Sequence, residues 1–273
     1  MYEAYWQLER RPFENTSDEA FYYPSEVHQG ALLKLRYTVE HRRGAALLAG
    51  EHGSGKTQLL EMLKHKLGEH CRPLAHVVFP QLSPADLLAY LADELAPAGP
   101  ETPRTEEQSV RRIQRFLAAN TERGGHAVLA IDEAHLIKDP TCWEALRLLL
   151  NFQSAGRGDL TLLLVGQLPL LTTMDRMVSW EERLAVKCLL RPLTSSETAC
   201  YMQHRLEQAG CQRDPFTSAA VEAIHRLSGG LPRRINRLAD LALVIGYAEE
   251  LDRIDTPEIE AVCGELITVT PGY

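Results

Sequence analysis

Through the first two thirds of the chain, short apolar runs alternate with longer segments whose apolar residues recur every three or four positions. The runs are Ala45-Ala46-Leu47-Leu48-Ala49, His76-Val77-Val78-Phe79, residues 126–132, residues 160–167 and Val186-Lys187-Cys188-Leu189-Leu190. They have strand length, and the most apolar of them do not alternate with polar positions, the pattern of parallel strands buried on both faces. Helical spacing follows Ser25 at Ala31-Leu32, Leu35 and Val39, and continues at 57–67. Ser83-Pro84 reads as a cap with proline at the first helical position, opening a helix to Leu95; further helices are expected at 105–121 and 141–152. Pro97 to Pro103 reads as a loop. Five strands alternating with helices predict an α/β fold with a five-stranded parallel sheet covered on both faces. From Thr194 the strand-like runs stop. Helical patterns at 195–209, 217–228, 232–248 and 256–266 predict a small all-helical domain, opened by a capping box, Thr194-Ser195-Ser196-Glu197. The expected organisation is an arm and adenine-side linker at 1–43, a core at 44–193 and a helical lid at 194–273.

The turn after the first strand carries the most specific chemistry. Gly50-Glu51-His52-Gly53-Ser54-Gly55-Lys56-Thr57 reads G-x-x-x-x-G-K-T between a strand and a helix, the context of a phosphate-binding loop. Gly53 and Gly55 let the backbone curl so that successive N–H groups face phosphate oxygens. The helix starting near Lys56 adds its positive end, Lys56 an ammonium for the β- and γ-phosphates, and Thr57 a hydroxyl for Mg²⁺. Residues 50–58, through Gln58, are the expected nucleotide contacts. A second motif, Ile131-Asp132-Glu133-Ala134-His135, ends an apolar strand in adjacent carboxylates, where ligands of open α/β sheets sit. Asp132 is expected to hold Mg²⁺ directly or through its water, and Glu133 to polarise the attacking water. His135 reads as a polar residue after the strand, a candidate sensor of the γ-phosphate. Although Asp132 to His135 spell a helicase motif, such helicases need two tandem nucleotide folds, and this chain has one phosphate loop.

The chain has 273 residues, 45% apolar and 24% charged, typical of a soluble globular protein. No apolar run reaches the ~18 residues of a membrane span, and the first residues show no signal core, so a cytoplasmic chain without a span is expected. Six scattered cysteines without a C-x-x-C pair are expected to be free, buried thiols. His65, His70 and Cys71 lack the spacing of a zinc site. Net charge is −8, with seven Arg and no Lys against twelve acids from Ser196 onward. That balance argues against strong nonspecific DNA binding by a monomer. Residues 1–43 are rich in aromatics (Tyr2, Tyr5, Trp6, Phe13, Phe21, Tyr22, Tyr23), which either wrap an adenine ring or pack on the core.

The phosphate-loop domain followed by a helical lid resembles the AAA+ ATPases. Within them the chain is similar to the ExeA/GspA (general secretion pathway protein A) type and the related TniB/TnsC-type ATP-binding transposition proteins. The stretches that carry this are Arg11-Pro12-Phe13-Glu14, Phe21-Tyr22-Tyr23-Pro24-Ser25, the two motifs above, Leu149-Leu150-Asn151-Phe152, Val165-Gly166-Gln167 and Gly229-Gly230-Leu231-Pro232-Arg233-Arg234-Ile235-Asn236. The resemblance implies ATP hydrolysis with Mg²⁺. It implies Gln167 as the sensor-1 residue that orients water, Arg233 as a sensor-2 arginine reaching the γ-phosphate and closing the lid, and Arg183 as an arginine finger offered to a neighbouring subunit. Arg176 and Arg191 are rivals for that last role. It also implies a homo-oligomer, and a secretion or envelope partner that recruits the chain to the inner face of the membrane. The alternatives are a transposition-type ATPase acting on duplex DNA and a nucleotide-gated adaptor. Full-length secretion relatives carry a membrane span and a peptidoglycan-binding region after the ATPase; neither is read in this sequence.

Overall fold

The structure, a computed structural model, describes residues 1–16, 18–96, 105–154 and 156–268; the expected loop at 97–103 lies outside the described residues. The chain divides into two compact units: Val27–His52 with Lys56–Leu190, and Met1–Glu26 with Gly53–Gly55 and the chain from Arg191.

The first unit is a parallel sheet flanked by helices. Its strands are β1 (Ala45–Gly50), β2 (Leu74–Val77), β3 (Ala127–Ile131), β6 (Leu160–Gly166) and β7 (Leu184–Leu190). A short antiparallel hairpin, β4 (Gln153–Ser154) and β5 (Arg157–Gly158), precedes β6. The sheet order is β2-β3-β6-β1-β7, and every pairing is parallel. β1, β3 and β6 are buried along their whole length, which explains their unbroken apolar sequences. The helices are α1 (Glu26–Glu40), α2 (Lys56–Lys66), α3 (Pro84–Leu95), α4 (Glu106–Glu122), α5 (Pro140–Leu149), α6 (Pro169–Asp175) and α7 (Val178–Glu181). Ser83 caps α3 by accepting from the Asp86 N–H, with Pro84 at the first helical turn. Trp143 of α5 and Trp180 of α7 pack edge to face at 5.9 Å.

Three local expectations are corrected. β2 begins and ends two residues early. Its register with β3 closes at Val77, whose carbonyl accepts from Asp132, and Val78 and Phe79 run past the sheet, 60% and 58% exposed. α5 stops at Leu149 because the chain turns into the β4–β5 hairpin, which an apolar pattern does not reveal. Cys71, Cys142 and Cys188 are buried, but Cys200, on the outer face of its helix, is exposed; all six are free.

The second unit is helical: α8 (Ser195–Gln208), α9 (Ser218–Ser228), α10 (Pro232–Ala248) and α11 (Thr256–Thr268). The capping box is present, with Thr194 and Glu197 each accepting from the other's backbone N–H. Arg191 also bonds the Glu197 carboxylate and, as the leading cause, pulls it down to about 2. The aromatic arm is part of this unit's core. Tyr2, Trp6, Phe13 and Phe21 are buried with the faces of α8–α10. Phe13 packs edge to face on Phe216 at 6.0 Å, and Trp6 donates to the Leu243 carbonyl at 3.0 Å. Buried Arg205 donates to the carbonyls of Pro12 and Glu14 and to the Tyr201 hydroxyl. The Arg-Pro-Phe-Glu motif is therefore held by a guanidinium satisfied mostly by backbone oxygens.

Gly229 and Gly230 end α9 with φ of +63° and +72°. A Cβ on Gly230 would lie 2.1 Å from the Leu193 carbonyl oxygen, so this corner closes only on glycine. Gly230→Ala is expected to cost roughly 2 kcal/mol or more in urea unfolding; wild-type stability would contradict this packing. The Glu197 carboxylate should stabilise the fold fully above its ordinary value of 4.5 and lose that contribution as pH falls toward about 2. The stability gap between wild type and Glu197→Gln should therefore narrow across that window.

Candidate functional site

β1, β3 and β6 lie side by side in the sheet, so the segments leaving their carboxyl ends meet at one edge. β1 delivers the phosphate loop, β3 delivers Asp132 and Glu133, and β6 delivers Gln167. Ala49 pairs with Gly166, and Ile131 with Leu164, which fixes the three exits within one another's reach. This is the edge where open parallel sheets bind ligands.

The phosphate loop is preformed by its glycines. Gly53 and Gly55 hold φ of +81° and +93°. A Cβ on Gly53 would lie 2.7 Å from the Arg233 Cβ, and the Arg233 N–H donates to the Gly53 carbonyl at 3.2 Å. Gly53 and Arg233 belong to the same unit, so the expected sensor-2 arginine stands at the glycine turn. Ser54 is buried, and Glu51 and His52 are exposed. Lys56 is buried, and its Nζ donates to the carbonyls of Gly50 (3.0 Å) and Glu51 (2.9 Å). Burial lowers the Lys56 ammonium from its ordinary value, and the charges of Glu133 and Asp132 oppose that shift. The cation thus rests on the loop's own oxygens, within the field of both acids. The Gln58 amide nitrogen is buried without a partner.

Thr57 Oγ1 donates to Asp132 Oδ2 at 2.9 Å, and the Glu133 N–H donates to Asp132 Oδ1 at 2.9 Å. Burial alone would raise the Asp132 carboxyl, but His76, the Glu133 N–H and Thr57 outweigh it and hold it below its ordinary value. His76 Nε2 stands 3.6 Å from Asp132 Oδ2. The sequence pattern placed His76 in a strand but gave it no role, because its approach to Asp132 depends on β2–β3 pairing. The hydroxyl and carboxylate oxygens of Thr57 and Asp132 are the hard donors that Mg²⁺ takes alongside nucleotide oxygens. Among the described residues no group of three or more His, Cys, Asp or Glu is placed to hold a metal ion.

Glu133 adopts a left-handed backbone, φ 51° and ψ 30°, uncommon for a side chain of this type. Glu133 Oε2 lies 3.4 Å from His135 Nδ1, and the same Nδ1 accepts from the Gln167 N–H at 3.3 Å. Gln167 is therefore at the site through its backbone. Arg183 is not. Its carbonyl accepts from the N–H of Ala45, at the amino end of β1, about 17 Å of strand from the loop. Its guanidinium donates to Asn151 Oδ1 at 2.8 Å. Asn151, within the Leu149–Phe152 stretch of the family resemblance, is thus the partner of that arginine. Of its rivals, Arg191 is engaged by Glu197.

The AAA domain family matches residues 39–174. General secretion pathway protein A of Aeromonas hydrophila is 33% identical over 274 residues, covering 97% of this chain and 48% of that protein. The chain is an AAA+ ATPase related to general secretion pathway protein A. It spans about half the length of that relative. Among solved structures, the Aeropyrum pernix ORC2 protein in its ADPNP–ADP complexes superposes with a TM-score of 0.70 at 17% identity, covering 94% of this chain and 72% of that one. Cdc6p of Pyrobaculum aerophilum gives 0.71 at 16%, covering 91% and 71%. The Thermotoga maritima RuvB Holliday junction branch migration motor gives 0.58 at 19%, covering 91% and 74%. At these identities the likeness is one of fold, and it agrees with the α/β phosphate-loop architecture. Among the described residues no helix is long and apolar enough to cross a membrane.

ATP at about a hundred times its dissociation constant should stabilise the ATPase by about 2.7 kcal/mol, a thermal shift of several degrees. Lys56→Ala should lose most of that shift while its nucleotide-free melting temperature changes little. An undiminished shift in the variant would remove Lys56 from the site.

Proposed function

We propose that this ATPase binds ATP with Mg²⁺ at the carboxyl edge of its sheet and uses hydrolysis to switch its own assembly in secretion or cell-envelope biogenesis. The observation that supports this most is the continuous constellation Lys56, Thr57, Asp132 and Glu133. In it Lys56 rests on loop carbonyls, Asp132 accepts from Thr57 and the Glu133 N–H, and Glu133 follows on a left-handed turn. Lys56 and the N–H groups at 53–57 would neutralise the phosphates. Thr57 and Asp132 would hold Mg²⁺, which when bound offsets the charge developing on the transferred phosphoryl group. Glu133 takes the proton of the attacking water, and Gln167 borders the same space. Arg233 offers a guanidinium from the glycine turn to the γ-phosphate of its own subunit.

Arg183 stands a strand length from the loop, so its charge is useful to a nucleotide only on a second copy of the chain. That placement supports a homo-oligomer whose interface completes the site. The secretion reading rests on the relationship to general secretion pathway protein A. A DNA-directed output is the second reading, supported by the likeness of fold to the RuvB Holliday junction branch migration motor. The acidic balance of the chain weighs against it.

ATP turnover measured against protein concentration, with and without duplex DNA, tests these readings. Specific activity should rise with concentration and ignore DNA. Arg183→Ala should flatten the concentration dependence, and Glu133→Gln should lower turnover by about 10²- to 10⁴-fold. A concentration-independent rate from a species that stays monomeric would sink the assembly proposal. A DNA-stimulated rate would favour the second reading.

A further inference from the structure

Glu133, His135 and Gln167 come from two different strand ends, yet a single imidazole nitrogen faces both of the others. His135 Nδ1 accepts from the Gln167 N–H at 3.3 Å and lies 3.4 Å from Glu133 Oε2. The His135 side chain is only 11% exposed, so the ring is held rather than free to swing. Its seat depends on a missing side chain. A Cβ on Gly166 would lie 3.1 Å from His135 Nδ1 and 3.2 Å from the His135 backbone nitrogen. Glu133 itself sits at a left-handed residue, where the following turn, and not a regular strand, sets the direction of its carboxylate.

We infer that His135 is the positioning residue for Glu133: its ring, pinned to the end of β6, bounds the space the carboxylate can occupy. The inference rests on the reading of Glu133 as the water-activating group. Nδ1 holds one hydrogen-bonding role at a time. As acceptor from the Gln167 N–H it carries no hydrogen, so it ties the imidazole to β6 and leaves the carboxylate oxygens to a water. As donor to Oε2 it would occupy that oxygen and release the Gln167 N–H. Pinned to β6 by the bond from Gln167, the ring stands as a wall 3.4 Å from the water-activating carboxylate. A displacement of the β6 end moves that wall.

The test compares His135→Leu, His135→Asn and Glu133→Gln in the full chain, measuring kcat and KM for ATP together with nucleotide-induced thermal shift. Leucine fills the seat but accepts nothing; asparagine restores an acceptor oxygen near the Nδ1 position. His135→Leu should lower kcat on the order of a hundredfold, as a misplaced base does, with KM changed less than about threefold. His135→Asn should recover most of that loss. Wild-type turnover in His135→Leu would overturn the inference. So would equal losses in both variants accompanied by loss of the thermal shift, since that marks a role in folding alone. Gly166→Ala, which crowds the ring from the other side, gives an independent arm: kcat should fall with nucleotide binding kept, and an unchanged kcat would count against the inference. If Glu133→Gln itself turns over ATP like wild type, the reading of Glu133 fails first, and that result is distinct from either outcome at His135.

Discussion

The parallel pairing of β1, β3 and β6 is the constraint on which the rest of this molecule depends. Three fully buried strands running in one direction must leave the sheet at the same edge. Whatever chemistry their next residues carry is thereby collected in one place. The cationic loop, the paired acids and the Gln167 segment need no further device to find each other. The burial that makes the strands apolar also lowers the dielectric around their ends. There a lysine resting on carbonyl oxygens lies in the field of a carboxylate that accepts two hydrogen bonds and faces His76. Fold and electrostatics therefore come from the same pattern of apolar positions.

The helical unit answers a different demand. Its start depends on a double-glycine corner where a carbonyl leaves no room for a Cβ, and on a capping box reinforced by Arg191. Its core is completed by chain from the other end of the sequence, with Phe13 and Trp6 buried and Arg205 bonding the arm's carbonyls. A buried guanidinium is tolerated here because each of its three nitrogens donates to an oxygen, two of them backbone carbonyls. The arm motif that marks the family resemblance therefore has a packing explanation. The corner that positions Arg233 has one too.

The sequence made the local chemistry readable and left the long-range geometry hidden. The phosphate loop and the acidic strand could be recognised because their residues are contiguous and their periodicity is strong. The nearness of His76 to Asp132 could not, since it follows from β2 lying beside β3 in a register no single segment encodes. For the same reason β2 was expected two residues too late: Val78 and Phe79 look like strand residues, but the sheet ends at Val77. The left-handed turn at Glu133 is invisible in a residue type that rarely adopts it, and the bond that pins the neighbouring His135 ring comes from Gln167 of another strand. Arg183 was legible as a candidate only through resemblance. Its place at the amino edge of the sheet is what separates it from its own phosphate loop.

A crystal structure of Glu133→Gln with ATP and Mg²⁺ tests the central claim most directly. The account expects the β- and γ-phosphates against the N–H groups of 53–57 and Lys56, the metal beside Thr57 and Asp132, and the residue at 133 facing the γ-phosphate. A nucleotide bound away from the carboxyl edge of β1, β3 and β6, or a metal held without Thr57 and Asp132, would contradict it.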